Sequence, residues 1–552
     1  MMHQSGRGAD NPIADEAPMR WNGWGDPAKA EDLPFAVRSL LPLLLGRIRR
    51  PQPAVALADV RLSPSAFTSE DAEAFAAVLG ADDVRTDAES RIRHAGGRST
   101  PDLLRRREAA QAAPDAVLRP RDHEEVVACL RLAGERDIAV IPFGGGTSVV
   151  GALDPERGGH RAVISLDLGR MSGLLGYDAV SAEAVLAAGT TGPEAERLLA
   201  QHGMELGHYP QSFRYATIGG FAAARSSGQN SAGYGRFDTM VTGIRVATPS
   251  GDVELGRSPA SAAGPDLVRL FLGSEGIYGV ITEVRVRVHP VPVERVMESW
   301  AFPDFASGEA ALRAVAQHGG GPTVIRLSDE AETSVSLAQV GKIGKALARG
   351  ASAVTVFEGD DVAARRARTA ALLQAAGGTS LGEGAADDWL RTRFDGPYLR
   401  DALLDAGVLC ETLETATTWS RLEGLREAVT HALKNGFADE GRKAFVMCHV
   451  SHVYPTGASL YFTVLAPLGA DALEVWSGIK HRAGDAIMAS GGTISHHHAV
   501  GRDHAPWLGE EVGEVGIRIL SAVKSELDPQ GIMNPGAVLG AATPAPARSA
   551  GV

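Results

Sequence analysis

Near the C-terminal end of the chain, the stretch "SHHHAVGRDH" holds three consecutive histidines, His496, His497 and His498, and a fourth at His504. Imidazoles titrate near neutrality, and once protonated both ring nitrogens donate, so such a run suits proton relay and the holding of a phosphate. A metal site is the competing chemistry, but zinc wants three converging ligands, which adjacent residues rarely supply. A polar surface run is the third reading. The expectation is acid–base and anion work with no metal. In an extended segment alternate residues share a face, so His496 and His498 would point one way and His497 the other.

A second chemical signal is glycine. "PFGGGTSVVGAL" (142–153) follows an apolar strand, and its three adjacent glycines free backbone N–H groups to curl around phosphate oxygens. Thr147 and Ser148 add hydroxyl donors. No Lys-Ser/Thr follows, so it is not a Walker loop, and the glycines are not spaced as in the Rossmann fingerprint. Taken alone it reads as a tight turn. Two further loops, "TIGGFAAARSSG" and "GSEGIYGVITE", accompany it. Three glycine- and hydroxyl-rich loops in one helix–strand region suit a long cofactor carrying two phosphates.

The elements that must position these groups are read from periodicity. "RDHEEVVACLRLAGERD" (121–137) places Val126, Val127, Leu130 and Ala133 on one helical face, and "IAVIPF" then reads as a buried strand. Strands at 162–168 and 182–190, a helix at 192–203, a hairpin around Pro249–Asp252 and a strand at 279–292 follow. Beyond 292 the elements lengthen, and a final helix over 507–531 stops at Asp-Pro and Gly. These shifts divide the chain into an N-terminal segment (1–109), a cofactor-binding region (110–291), a cap (292–495), a histidine-containing segment and helix (496–540) and a tail (541–552). The first ~15 residues and the tail are expected to be disordered.

Composition sets the bounds. At 552 residues the chain should fold as two or three packed units. A formal net charge of -13 argues against nucleic-acid binding. Cys129, Cys410 and Cys448 form no CxxC pair and read as buried thiols. No stretch is long and apolar enough to cross a membrane, and no secretory leader is evident, so a cytoplasmic protein is expected, with peripheral contact with membrane lipid left open.

Together "PFGGGTSVVGAL", "TIGGFAAARSSG" and "GSEGIYGVITEVRVRVHPVP" resemble the FAD-binding domain of the vanillyl-alcohol oxidase/p-cresol methylhydroxylase (PCMH-type) flavoproteins. "RWNGWGDP", "IRLSDE", "SLYF" and "ISHHHAVGRDHAPWL" narrow the resemblance to the alkyldihydroxyacetonephosphate synthases. It implies an α+β fold: a two-part FAD-binding domain, an α+β cap and a C-terminal helical segment returning to the FAD domain. It implies noncovalent FAD, cradled by Pro142, Phe143, Gly144, Gly145, Gly146, Thr147 and Ser148. Gln211, Ser212, Thr217, Gly219, Gly220, Ala224, Arg225, Ser226 and Ser227, with Glu275, Gly276, Gly279, Val280 and Ile281, would line the rest.

The resemblance also implies the reaction. The acyl chain of acyl-dihydroxyacetone phosphate is replaced by a long-chain alcohol, giving an ether without net redox change. An FAD-linked oxidoreductase acting on a D-2-hydroxy acid or alcohol is the alternative. By the same resemblance Tyr461 transfers a proton, Arg326 is required for activity, and Arg400 and Arg502 bind substrate beside His496, His497 and His498. A phenol is a poor base unless cations stabilise the phenolate, and the histidines and Arg326 are expected to supply that field. Lipid substrates are the expected partners, with a homodimer left open. The chain departs from the family at Gln211, where the family has Asp, and at Ala499 and Arg502, where it has Gly and Lys. The last two departures are where a shifted substrate preference would be sought.

Overall fold

The computed structural model describes residues 18–49, 51, 53–339 and 350–540. The two termini expected to be disordered begin or end beyond these: residues 1–17 and 541–552 lie outside the described part.

The helix His123–Glu135 is capped by Asp122, whose carboxylate accepts from the Glu125 N–H, and it buries Val126, Cys129, Leu130 and Ala133. Cys129 thus takes the fully buried place expected for Val127, which packs at the margin. The strand Ile138–Phe143 runs parallel to Ala162–Asp167, which runs parallel to Ala116–Leu118; Val84–Arg85 closes the edge antiparallel. Parallel strands are covered on both faces, which is why "IAVIPF" is an unbroken apolar run. The glycine-rich loop leaves the C-terminal end of that strand, where sheets of this kind bind ligands.

A second sheet is antiparallel, in the order Gly251–Leu255, Val241–Thr248, Val280–Arg287, Glu183–Ala187, Leu174–Asp178. The chain's end returns to the first sheet: Met533 bridges Val140 in parallel, and Lys524 donates to the carbonyls of Ile277 and Met533. The helix before it spans Ala505–Leu527, with a break at Gly513 (φ 73°). It therefore ends four residues before the expected stop.

The third sheet, among the described residues, has seven strands: Thr379–Gly382, Arg295–Phe302, Ala351–Glu358, Val324–Ser328, Phe445–Tyr454, Gly457–Pro467 and Val408–Thr418. Helices Phe305–His318, Leu422–Asp439 and Ala472–Ala489 bury leucines, Phe437 and Trp476 in its core. Register does the functional work here. Glu414 stands opposite Tyr461, and Tyr461 opposite His449. Residues directly opposite in an antiparallel pair share a face, so three polar side chains form a row across the sheet.

Candidate active site

A cavity of about 640 Å³ lies between the glycine loops and this row. Among the described residues its lining includes nearly every residue expected at the cofactor: 142–148, Gln211, Ser212, Thr217, Gly219, Gly220, Ala224, Ser226, Ser227, Glu275, Gly276 and 279–281. Tyr461, His497, His498, Arg326 and Arg400 line it as well. Three expected residues are not brought there: Arg225, His496 and Arg502.

The glycines are required by close approach of backbone to backbone. A Cβ on Gly145 would meet the Tyr215 carbonyl oxygen at 1.9 Å, and one on Gly219 would meet the Ala188 Cβ at 2.7 Å. The loops therefore stack on each other and leave bare peptide groups toward the cavity. Such a surface suits a dinucleotide pyrophosphate.

The histidine segment is not extended. The backbone N–H groups of His496, His497 and His498 all donate to the Glu414 carboxylate, at 2.7, 3.0 and 2.8 Å, and the Ser495 hydroxyl adds a fourth bond at 2.7 Å. Three successive N–H groups converge on one anion only when the backbone curls into a nest. Strict alternation of faces is lost: His497 and His498 face the cavity, whereas His496 turns away and its Nε2 bonds the Tyr454 hydroxyl at 2.6 Å. Burial opposes the Glu414 charge, yet the surrounding imidazoles and N–H donors hold its carboxyl well below the usual range.

Among the described residues, the cation field expected around Tyr461 is offset by a carboxylate and by burial. Arg326 donates to Glu332 (2.5 Å) and meets His449 Nδ1 at 3.0 Å, so its charge is matched by a carboxylate. His449 stacks on the Tyr461 ring at 4.9 Å, and the His497 ring lies nearly parallel to the Tyr461 ring at 6.1 Å. Burial pushes the Tyr461 phenol up to about 12 and the His498 imidazole down to about 3. Burial likewise lowers His496, His497 and His449. Burial thus works against charge on each imidazole around the protonated phenol, and the Glu414 carboxylate beside them works the other way.

Further arginines besides Arg326 stand on the cavity wall: Arg98, Arg393 and Arg400. Arg98 is buried and donates to the carbonyls of Gly97 and Arg20, at 2.8 and 3.2 Å. Arg400 is held by Asp401 (3.0 Å) and the Arg98 carbonyl (2.5 Å). The "WNGWG" loop explains itself at this point. Asp401 accepts from the Trp24 N–H at 2.5 Å, and the Tyr398 hydroxyl accepts from the Asp26 N–H at 3.0 Å. Gly25, at φ 67°, leaves no room for a side chain beside Tyr398. The loop clamps the helix Gly396–Asp405 so that Arg400 and Trp24 both reach the cavity.

Arg502 does something else. Its guanidinium donates to the carbonyls of Gly151 (2.5 Å) and Pro535 (2.7 Å), tying the chain's end to the segment after the glycine loop. Arg225 is spent on Asp238, at 2.8 Å. Ala499 adopts φ 72°, the left-handed region that favours glycine. Both family departures in "HHHAVGR" are thus structural positions and do not face the cavity.

His449, His452, Glu332 and Arg98 line the cavity without having been singled out in the sequence. Strict alternation in "CHVSH" would put His449 and His452 on opposite faces; a register shift between Val450 and Val453 breaks that alternation, so the sequence carried no signal for the pair. Ligating atoms of His452, His496 and His497 lie within 4.8 Å of one another. Those nitrogens are engaged: His452 Nδ1 meets the hydroxyls of Ser231 and Ser227 (2.5 and 3.2 Å), and His496 Nδ1 meets His497 Nδ1 (2.9 Å).

The fold and this cavity define a flavoprotein, and the comparisons agree. A family model described as "FAD binding domain" matches residues 114–256, and "FAD linked oxidases, C-terminal domain" matches 291–538. FAD is the cofactor. p-Cresol methylhydroxylase shares the fold at TM-score 0.67 and 16% identity, with 85% of this chain and 96% of that one covered.

Alkyldihydroxyacetonephosphate synthase of Trypanosoma brucei brucei is 32% identical, with 94% of this chain and 92% of that protein covered. The Dictyostelium discoideum synthase is 31% identical over the same shares. A solved alkyldihydroxyacetonephosphate synthase structure superimposes with TM-score 0.79 at 28% identity, covering 94% of this chain and 98% of that one. The chain belongs to the alkyldihydroxyacetonephosphate synthase family.

Proposed function

We propose that the protein exchanges the acyl chain of acyl-dihydroxyacetone phosphate for a long-chain alcohol, forming an ether-lipid precursor with FAD and no net redox change. The observation that carries this is the composition of the cavity between the glycine loops and the seven-stranded sheet. Glycine loops at one wall adjoin a Tyr–His–Arg cluster, and Leu40, Leu41, Leu44, Leu399 and Leu403 make an apolar wall beside them. A phosphate, a reacting ketone and an alkyl chain each find a suitable surface.

Pro142–Ser148, Thr217–Gly220 and Gly276–Ile281 would hold the FAD, which when bound supplies an electrophilic ring able to capture the substrate carbon. The lining loops 142–149, 211–229 and 275–281 contain no histidine or cysteine, which supports noncovalent binding. Arg98, Arg326 and Arg400 are assigned to the substrate phosphate. Tyr461, with His497 and His498 around it, is assigned to proton transfer. With no cation fixed beside it, the phenol would become a working base only when the bound phosphate and flavin alter its surroundings.

Lipid access is assigned to the helix Phe35–Leu45. Its inner side chains line the cavity, while Phe35 and Leu43 are 85% and 76% exposed, and Arg38, Arg47 and Arg49 are close in sequence. That pattern suits peripheral contact with an anionic bilayer. No helix among the described residues is long and apolar enough to span one. The test of the whole reading is anaerobic: purified holoenzyme, labelled hexadecanol and acyl-dihydroxyacetone phosphate. Labelled ether without an electron acceptor is the expected result, and dye reduction by hydroxy acids without ether would replace it with the oxidoreductase reading.

A further inference from the structure

We propose that His496 and Tyr454 form a proton path from His497 at the cavity wall to a separate solvent groove, and that the proton freed in each turnover leaves by it. The inference rests on the alkyl-exchange reading. In that exchange the bond between the substrate carbon and the acyloxy oxygen breaks, and the acyl group departs as a carboxylate. A bond from the same carbon to the alcohol oxygen forms, and the alcohol's hydroxyl proton is left over. No electrons are gained or lost, so ether, carboxylate and one proton are the products. The proton is released among buried groups beside an apolar wall that cannot conduct it.

The geometry supplies an exit. His497 lines the cavity, and its Nδ1 is 2.9 Å from His496 Nδ1. His496 Nε2 is 2.6 Å from the Tyr454 hydroxyl. His496 lines neither space, but Tyr454 lines a second, shallow groove of about 530 Å³ rimmed by Thr417, Arg421, Thr456, Glu510 and Glu511. His497 Nδ1–H passes its proton to His496 Nδ1, His496 Nε2–H passes one to the Tyr454 oxygen, and Tyr454 passes its own to groove water. Each member accepts one proton and gives one up, and ring and hydroxyl reorientation restores the starting arrangement.

The groups facing His496 favour a carrier over a trap. His452 stacks on it at 5.0 Å, Glu414 accepts from its backbone N–H, and Arg236, His497 and His498 act on it electrostatically. Burial disfavours charge on the imidazole, as would a proton on His497, while Glu414 favours it. Burial pushes the Tyr454 phenol up to about 12 and keeps it protonated, against the pull of Arg236 and Ser227 beside its hydroxyl. Neither group stores the proton, as a relay requires.

The test uses FAD-loaded enzyme under the anaerobic exchange assay. Tyr454→Phe keeps the ring and removes the hydroxyl. The expected result is a roughly 10²–10⁴-fold lower kcat, the scale of a lost proton-transfer group, with KM for both substrates, bound flavin and melting temperature unchanged. Its solvent deuterium effect should rise above the wild-type value. In Tyr454→Ala, which opens the groove toward His496, added imidazole should restore the rate in a concentration-dependent way, and it should leave wild type unaffected. A Tyr454→Phe enzyme with wild-type kcat overturns the path, as does a slow Tyr454→Ala enzyme that imidazole does not accelerate. Absence of ether product from wild type overturns the exchange reading itself, which is a different failure.

Discussion

Glu414 is the residue on which the histidine cluster hangs, and its removal should be costly in a specific way. The carboxylate is buried, sits opposite Tyr461 in register, and accepts four bonds: Ser495, His497 and His498 at Oε1, His496 at Oε2. In Glu414→Gln one oxygen can keep the three donors now at Oε1, but the amide N–H₂ then opposes the His496 N–H. One charge-assisted bond is lost, about 1.5–3 kcal/mol, and the other three weaken because they lose the charge. A neutral amide costs less to bury than a carboxylate, so the net loss is about 3 kcal/mol, roughly a 2–3 °C fall in melting temperature for a chain of this size. Displacing the turn moves His497 and His498 relative to Tyr461, and a shift of about 1 Å can cost ~100-fold in rate. The assay pairs ether formation by the holoenzyme with thermal unfolding at neutral pH, and Glu414→Asp, which keeps the charge, should lose less of both. A Glu414→Gln enzyme with wild-type rate and melting temperature would show that the turn holds itself and that the nest reading is wrong.

Three further outcomes are expected. Gly145→Ala places a Cβ where the Tyr215 carbonyl stands at 1.9 Å, so the loops must separate, and purified protein should show a sharply lower flavin-to-protein absorbance ratio. Ala499→Gly should stabilise: the left-handed conformation costs a non-glycine residue about 1–2 kcal/mol, glycine's unfolded-state entropy returns about 0.4–1, and the difference should raise the melting temperature by up to about a degree. Glu275→Gln should change the pH dependence of stability. Burial raises the Glu275 carboxyl to about 7 from 4.5, so its contribution is fully present below 4.5 and lost as pH climbs through 7. Both N–H donors, from Val500 and Gly501, reach the same oxygen, Oε2, so glutamine can satisfy them while staying neutral. The melting temperature of the variant relative to wild type should therefore rise between pH 4.5 and 7; a flat difference across that range would refute the assignment.

What the sequence disclosed followed from how local each requirement is. A glycine that must admit another backbone can hold nothing larger, so "PFGGGTSV" and "TIGG" marked the cofactor wall without knowledge of any partner. The row of Glu414, Tyr461 and His449 depends on the register of three strands, and register is not written at any one of those positions. Tyr461 was reached through resemblance, whereas Glu414 and His449 were not reached. Arginines misled for the opposite reason. Five donors on a long stem suit a substrate phosphate or any three carbonyls equally, and Arg502 found carbonyls. That outcome also settles what the departures in "HHHAVGR" mean. Family Gly and Lys stand where this chain has Ala499 and Arg502, and neither residue borders the cavity, so neither would touch a substrate held there. The apolar wall around Leu40, Leu41, Leu44, Leu399 and Leu403 is where a chain's length would be measured, since each methylene buried or stranded there is worth about 0.8 kcal/mol.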